Sequence, residues 1–126
     1  MIPPLLLAAS LLTGYPNSLA VPCQIGGHEA ACALDTGSSL GLDIGYPLAH
    51  VYGLRCEGTA TVESTTGTAA ACTILTTLTI AGRTVTITGI AERYSWIPLI
   101  GLPALRALFP DGFTVNFKDG KLVPLR

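Results

Sequence analysis

The sequence predicts an all-β domain with one short helix near its end. Three observations carry this prediction: runs rich in Val, Ile and Thr recur from Leu19 onward, Gly and Pro interrupt them at short intervals, and only Leu102 to Phe109 has a helical pattern. The chain has 126 residues, which is the usual length of a single domain with its own core. We therefore expect one domain.

The chain begins with an apolar segment, residues 1–18, followed by the domain at residues 19–126. The run from Leu5 to Leu12 resembles the core of a signal peptide, but no positive charge precedes it. The nearest small-residue cleavage pattern, at Ser18 to Ala20, would remove the start of the first predicted strand. No apolar run approaches the roughly 20 residues that a membrane span needs. We expect an ordered segment and favour a cytoplasmic location over a secreted or membrane-attached one.

The first predicted hairpin joins Leu19–Ile25 to Glu29–Leu34. Its turn contains Gly26 and Gly27, which tolerate the positive φ angles of tight hairpins. The residues Asp35 to Ser39 then follow as a second turn, directly after the strand. This places an acidic residue at the end of an apolar strand.

Further strands are predicted between Gly58 and Gly89, because β-branched residues dominate the runs and small polar residues separate them. The first turn of this region is nearly free of charge, which suits either a mobile hairpin over an apolar site or an ordinary surface hairpin. In order, the predicted strands and turns are Thr59–Glu63, Ser64–Gly67, Ala70–Ile80, Ala81–Gly82 and Thr84–Thr88.

The predicted helix from Leu102 to Phe109 tolerates Pro103 in its first turn and ends before Pro110. A last hairpin is predicted from Phe113–Phe117 and Lys121–Leu125. No internal repeat or linker interrupts this order.

The composition limits the classes of partner. Hydrophobic residues make up 49% of the chain and charged residues only 12%, well below the roughly 25% usual for soluble domains. A subunit interface, a membrane surface or an apolar substrate is therefore expected to cover apolar surface. The net charge of −1 argues against nucleic acid, which requires a clustered positive field.

The cysteines do not predict a metal site. Cys23, Cys32, Cys56 and Cys72 are too far apart for a CxxC motif, and only histidines 28 and 50 could join them as ligands. Buried free thiols and a disulfide between neighbouring strands both remain open. We expect neither a metal nor another cofactor.

The motif with the clearest chemistry is Asp35-Thr36-Gly37-Ser38, which follows the apolar run from Ala30 to Leu34. Gly37 allows a tight backbone turn, while Thr36 and Ser38 supply hydroxyls that can hold the loop. The remaining acids are predicted to be solvated surface groups: Asp43, Asp111, Asp119, Glu29, Glu57, Glu63 and Glu92. A serine peptidase is poorly supported, since neither Ser38 nor Ser39 has a Gly-x-Ser-x-Gly setting.

With this motif the sequence resembles the retropepsin-like aspartic peptidases over most of its length. The hairpin Ile25-Gly26-Gly27, the Asp35 loop, the tip from Ser64 to Gly67, Gly82 at the next turn, and Leu99-Ile100-Gly101 occur in the family's order and spacing, and a helix follows.

The resemblance implies an acid-protease barrel that is active as a two-fold homodimer on a protein or peptide substrate. It implies a catalytic loop at Asp35 to Ser38 and a structural buttress at Ile100 and Gly101. It assigns the substrate-binding positions to Ser64, Thr65, Thr66, Gly67, Trp96, Ile97 and Leu99.

The sequence departs from the viral members at two places. Ser39 and Leu40 stand where those members have acids that hold the substrate main chain, and Leu102 replaces an arginine that ties loops at the dimer interface. An apolar interface is therefore expected. The alternative is a non-catalytic retropepsin-like module that dimerises or binds a peptide.

Overall fold

The computed structural model describes residues 10–11, 13–15, 18–65, 67–93 and 97–126. Strands dominate these ranges, and two short helices accompany them. In chain order the elements are β1 (Ser10–Leu11), β2 (Thr13–Tyr15), β3 (Ser18–Ile25), β4 (His28–Asp35), β5 (Leu42–Gly45), α1 (Tyr46–Val51), β6 (Gly58–Ser64), β7 (Gly67–Ile80), β8 (Arg83–Glu92), β9 (Leu99–Gly101), α2 (Leu102–Leu108), β10 (Phe113–Asn116) and β11 (Lys121–Pro124).

The strands form two sheets. The larger has the order β2-β3-β4-β9-β5-β8-β7-β6, and the smaller has the order β1-β11-β10. An extra pairing of β3 with β7, at Gln24–Thr79 and Ile25–Leu78, brings the large sheet back on itself. Most neighbours are antiparallel, but β9 is parallel to β4 and β5 is parallel to β8.

The predicted all-β class is confirmed, and the predicted hairpins are present. Gly26 and Gly27 have φ angles of 56° and 83° in the β3–β4 turn, as a tight glycine hairpin requires. The predicted tip from Ser64 to Gly67 lies between β6 and β7, although Thr66 is outside the described residues.

The prediction of a single helix is wrong. The predicted helix after Gly101 is present as α2, but the described residues contain α1 as well. Pro47 lies in the first turn of α1, a position where its fixed φ suits a helix. With six residues, α1 is too short to show an apolar period in the sequence.

The core lies inside the folded sheet and beneath α2. Strand alternation supplies much of it, because alternate residues are more buried than their neighbours over the later part of β3, over residues 72–80 of β7 and over residues 83–89 of β8. The largest completely buried side chains include Ile25, Leu42, Ile74, Leu78 and Ile100. Ala104, Leu105 and Leu108 pack one face of α2 against this cluster.

The four cysteines divide into one disulfide and two free thiols. Cys23 of β3 is bonded to Cys32 of β4, with their Cα atoms 6.0 Å apart, and both side chains lie in the core. The sequence left both a disulfide and free thiols open. Cys23 and Cys32 form a disulfide, whereas Cys56 and Cys72 are free thiols.

Part of the predicted N-terminal segment takes part in both sheets. Ser10 and Leu11 pair with β11, and Thr13 to Tyr15 pair with β3. Within the described ranges, neither helix is long and apolar enough to cross a membrane.

Candidate active site

Asp35 is the last residue of β4, where the strand leaves the core. Cys32 and Ala33 before it are almost completely buried, whereas Asp35 is half-buried and Thr36 and Gly37 are exposed. Parallel pairing places Asp35 opposite Gly101 at the end of β9. The carboxyl group therefore stands on the boundary between the hydrophobic interior and solvent.

The loop after Asp35 is held by its own side chains. The Gly37 N–H donates to Asp35 Oδ1 over 3.0 Å, and the Ser38 N–H donates to the Asp35 carbonyl over 3.2 Å. The Ser38 hydroxyl accepts a hydrogen bond from the Leu40 N–H, also over 3.2 Å. Two of the polar side chains in the motif thus fix a tight turn, and one carboxylate oxygen is oriented by a backbone amide.

The second support of the loop comes from β9 and the start of α2. The Gly101 N–H donates to the Gly41 carbonyl over 3.1 Å, and the Leu102 N–H donates to the Ser38 carbonyl over 3.0 Å. A Cβ atom on Gly101 would overlap the Leu40 carbonyl oxygen and lie 3.0 Å from the Ser38 carbonyl oxygen. A side chain at position 101 is therefore incompatible with this close approach. The neighbouring Ile100 is fully buried and anchors β9 in the core.

A hollow of about 280 Å³ lies beside the loop. Its walls are residues 36–39 on one side and the first turns of α2 on the other, including Leu102, Pro103 and the exposed Arg106. Arg106 contributes the positive charge among these lining residues.

The predicted hairpin tip belongs to β6 and β7. Ser64 pairs with Gly67, which has a φ of 125° that only glycine adopts without strain. Strand β8 pairs with β7 only from Ala71 onward, so the tip extends beyond β8. Thr65 and Gly67 are exposed, and Thr66 lies outside the described residues.

Leu99 shares a sheet face with Asp35. Because paired residues of neighbouring strands point the same way and alternate residues share a face, Asp35, Gly101 and Leu99 all lie on the face opposite Ile100. Leu99 and Ile97 are half-buried, whereas the predicted pocket residue Trp96 lies outside the described residues. The structure thus brings Leu99 to the Asp35 side of the sheet.

A second acidic feature was missed by the sequence analysis. Asp43 of β5 and Glu92 of β8 are half-buried, and their carboxyl groups interact by a hydrogen bond. Burial, and to a smaller extent the charge and hydrogen bond of Glu92, together raise the pKa of Asp43 from its ordinary value of 3.8 to about 7. The prediction of solvated surface acids is wrong for this pair. The apolar alternation of Leu42-Asp43-Ile44 was the available signal.

The other five acids in question match the surface prediction. They are exposed, and they lie in turns or within two residues of a strand end: Glu29, Glu57, Glu63, Asp111 and Asp119.

No family model and no curated protein matches the chain, but solved structures do. EIAV protease in complex with an inhibitor matches with a TM-score of 0.66 and 14% identity, over 76% of this chain and 94% of that one. A retropepsin-like aspartic protease from Rickettsia conorii matches with a TM-score of 0.64 and 17% identity, over 91% and 86%.

A third match is the retroviral protease-like domain of Ddi1 from Leishmania major. Its TM-score is 0.59 at 19% identity, over 85% of this chain and 92% of that domain. At these identities the likeness establishes the fold. The resemblance predicted from the sequence is therefore confirmed, and the chain has the retropepsin-like fold.

Proposed function

We propose that this chain, with its retropepsin-like fold, is an aspartic endopeptidase whose active site forms between two copies. The observation that carries the proposal is the Asp35 carboxyl group, which stands at the surface end of a buried strand and is oriented by the Gly37 amide. The Gly101 and Leu102 hydrogen bonds hold the surrounding loop in place. An acid in such a fixed and partly apolar setting suits proton-transfer chemistry.

Peptide hydrolysis by this chemistry needs two carboxyl groups that share one proton. The ionised group takes a proton from water, which then attacks the scissile carbonyl, while the protonated group polarises that carbonyl and later helps protonate the leaving amine. Because two adjacent carboxylates cannot both ionise cheaply, the rate should be highest on the acid side of neutrality.

The second carboxyl group is assigned to Asp35 of the other copy. The described residues include all eight acids of the chain, and Asp43 is the acid nearest to the loop in sequence. Strand β9 lies between β4 and β5, and Asp43 pairs with Leu99, two residues before the Asp35 partner Gly101. Two strand spacings and two residues along the strand separate Asp35 and Asp43 by roughly 12 Å, too far to share a proton.

The surface offers places for a two-fold contact. Residues 36, 37 and 39 of the loop are exposed, and β10 lies at the edge of the small sheet. Phe117, beside β10, is 79% exposed, and Leu125 is 44% exposed. An unpaired edge with apolar neighbours favours association with a second chain. We assign the homodimer contact to the loop and these terminal strands.

The substrate positions follow from the same arrangement. We assign the apolar pockets beside the scissile bond to Leu99 and Ile97 together with Trp96, and the covering hairpin to residues 64–67 with their small side chains. Leu99 supports this assignment because it shares the sheet face of Asp35. A site of this kind would favour cleavage between bulky apolar residues.

The decisive experiment compares peptide cleavage by the wild type, Asp35→Asn and the control Asp111→Asn. Asp111 is exposed in a turn, so its variant should cut at the wild-type rate. Asp35→Asn removes the proposed general base and should reduce the rate of peptide cleavage by about 10²- to 10⁴-fold. Sedimentation at micromolar concentration should show a dimer in all three proteins.

Two results would contradict the proposal. One is a strictly monomeric protein that cleaves peptides, and the other is an Asp35→Asn variant as active as the wild type. A dimer that binds peptides between pH 4 and 7 without cutting them would instead identify a non-catalytic binding module.

A further inference from the structure

The two free thiols meet at the base of the β6–β7 hairpin. Cys56 lies two residues before β6, and Cys72 lies in β7 opposite Thr59. The segment is held against β7 by a hydrogen bond from the Glu57 N–H to the Thr73 carbonyl, over 2.7 Å. Gly58, two residues after Cys56, pairs with Thr73, the residue next to Cys72, and both cysteines line the same groove, so the two thiols are brought to one place although 15 residues separate them in sequence.

The two thiols differ in access. Cys56 is exposed, and its Sγ donates to the Gly58 carbonyl over 3.4 Å. Cys72 is only 9% exposed, and burial together with the Cys56 thiol raises its pKa to about 11. Both line a groove of about 330 Å³ whose walls include Tyr46, Leu54 and Ile74. A reagent from solvent can therefore reach the exposed Cys56 first, whereas the buried Cys72 is not directly accessible to it.

We propose that Cys56 and Cys72 form a dithiol site that reacts with small disulfides of the glutathione type and closes into a second disulfide. In the first step the Cys56 thiolate attacks one reagent sulfur, the reagent S–S bond breaks, and one reagent thiol leaves. In the second step Cys72 loses its proton to solvent and its sulfur attacks Cys56 Sγ, which releases the second reagent thiol. Two protein thiols are oxidised, and the reagent disulfide is reduced to two thiols.

The Cys23–Cys32 disulfide supports this choice of oxidant, since a compartment that maintains one such bond also supplies small disulfides. The new bond would close a loop that contains the entire β6–β7 tip, residues 58–70. It would fix the base of that hairpin to β7 and reduce the freedom of the unfolded chain. The dithiol site itself does not depend on peptidase activity. Any effect of the new bond on substrate access beneath the β6–β7 hairpin would rest on the proposed function.

The test treats the folded protein with oxidised glutathione at pH 8 and follows the intact mass, with Cys72→Ala and Cys56→Ser as matched variants. The wild type should become two hydrogen atoms lighter without accumulating an adduct. Cys72→Ala should stop at one bound glutathione, and Cys56→Ser should react at least about 100-fold more slowly than the wild type, because its remaining thiol is buried. The melting temperature of the wild type should rise by about 5–10 °C on oxidation and fall back on reduction.

Three outcomes would overturn the proposal. The first is a stable glutathione adduct on the wild type, which would show that Cys72 does not reach Cys56. The second is a covalent dimer through Cys56, and the third is a Cys56→Ser variant that reacts as fast as the wild type. Since the readouts are mass and melting temperature, they decide the matter even if the chain cleaves no peptide.

Discussion

Replacing Gly101 by alanine tests whether the close approach of the backbone at this residue holds the Asp35 loop in place. Gly101 has φ −91° and ψ 176°, which alanine adopts without strain. The cost is therefore steric, because the added Cβ would overlap the Leu40 carbonyl oxygen and crowd that of Ser38. The loop must move away, and this breaks the hydrogen bonds from Gly101 to Gly41 and from Leu102 to Ser38.

The expected loss of unfolding free energy is about 3–5 kcal/mol. Overpacking by one methyl group contributes about 1–3 kcal/mol, and each of the two lost hydrogen bonds contributes about 1 kcal/mol. Urea unfolding measures the loss, and peptide cleavage measured well below the transition should fall at least about 100-fold, because the Asp35 loop is displaced.

The matched control is Gly58→Ala. Its Cβ would lie 3.1 Å from Thr73 Oγ1, the end of a side chain that can rotate away. This variant should change the unfolding free energy by less than about 1 kcal/mol. If Gly101→Ala unfolds within about 0.5 kcal/mol of the wild type and keeps its activity, the loop does not depend on the close approach at residue 101.

The remaining predictions concern pH and specificity. The raised pKa of Asp43 contributes stability that is complete below about pH 4 and is lost as the pH rises through 7. After allowance for partial exposure, the unfolding free energy should fall by about 1–2 kcal/mol over this range. Urea unfolding at pH 5 and 7.5 measures this fall, and the Asp43→Asn variant should not show it. An equal fall in the wild type and the variant would exclude Asp43 as its cause. The variants Leu99→Ala and Trp96→Ala should stay folded and dimeric but cut different bonds, since a large apolar contact contributes about 2–5 kcal/mol. Unchanged cleavage profiles of active variants would refute the pocket assignment.

The strands and the Asp35 loop could be predicted because their signals are local. Gly26 and Gly27 specify their own turn, and the Asp35 motif directly follows an apolar strand. The same holds for α2, which has a proline at its start and a second proline after its end. Features that depend only on residues close together in the chain can be predicted from a single sequence.

The features that were missed, and the cysteine pairing that was left open, depend on contacts between separate segments of the chain. Asp43 acquires its partner only because β5 lies parallel to β8 and antiparallel to β9, which brings residues 43, 90 and 99 into one register. The Cys23–Cys32 bond depends on the pairing of β3 with β4. Helix α1 follows β5 directly and has too few turns for a pattern. Only Asp43 leaves a periodic trace, the apolar alternation of Leu42-Asp43-Ile44, and this alternation does not identify Glu92 as its partner.

The position of Asp43 connects stability with the proposed chemistry. It lies two residues after Gly41, whose carbonyl receives the Gly101 hydrogen bond that supports the Asp35 loop. Ionisation of Asp43 beside Glu92 should therefore weaken β5 close to that support as the pH approaches 7. Cleavage would then decline toward neutral pH for two reasons, the loss of the shared proton between the two Asp35 groups and the loosening of β5. Asp43→Asn distinguishes them, because it removes the second effect and leaves the first: its cleavage rate should still fall toward neutral pH while its stability no longer does.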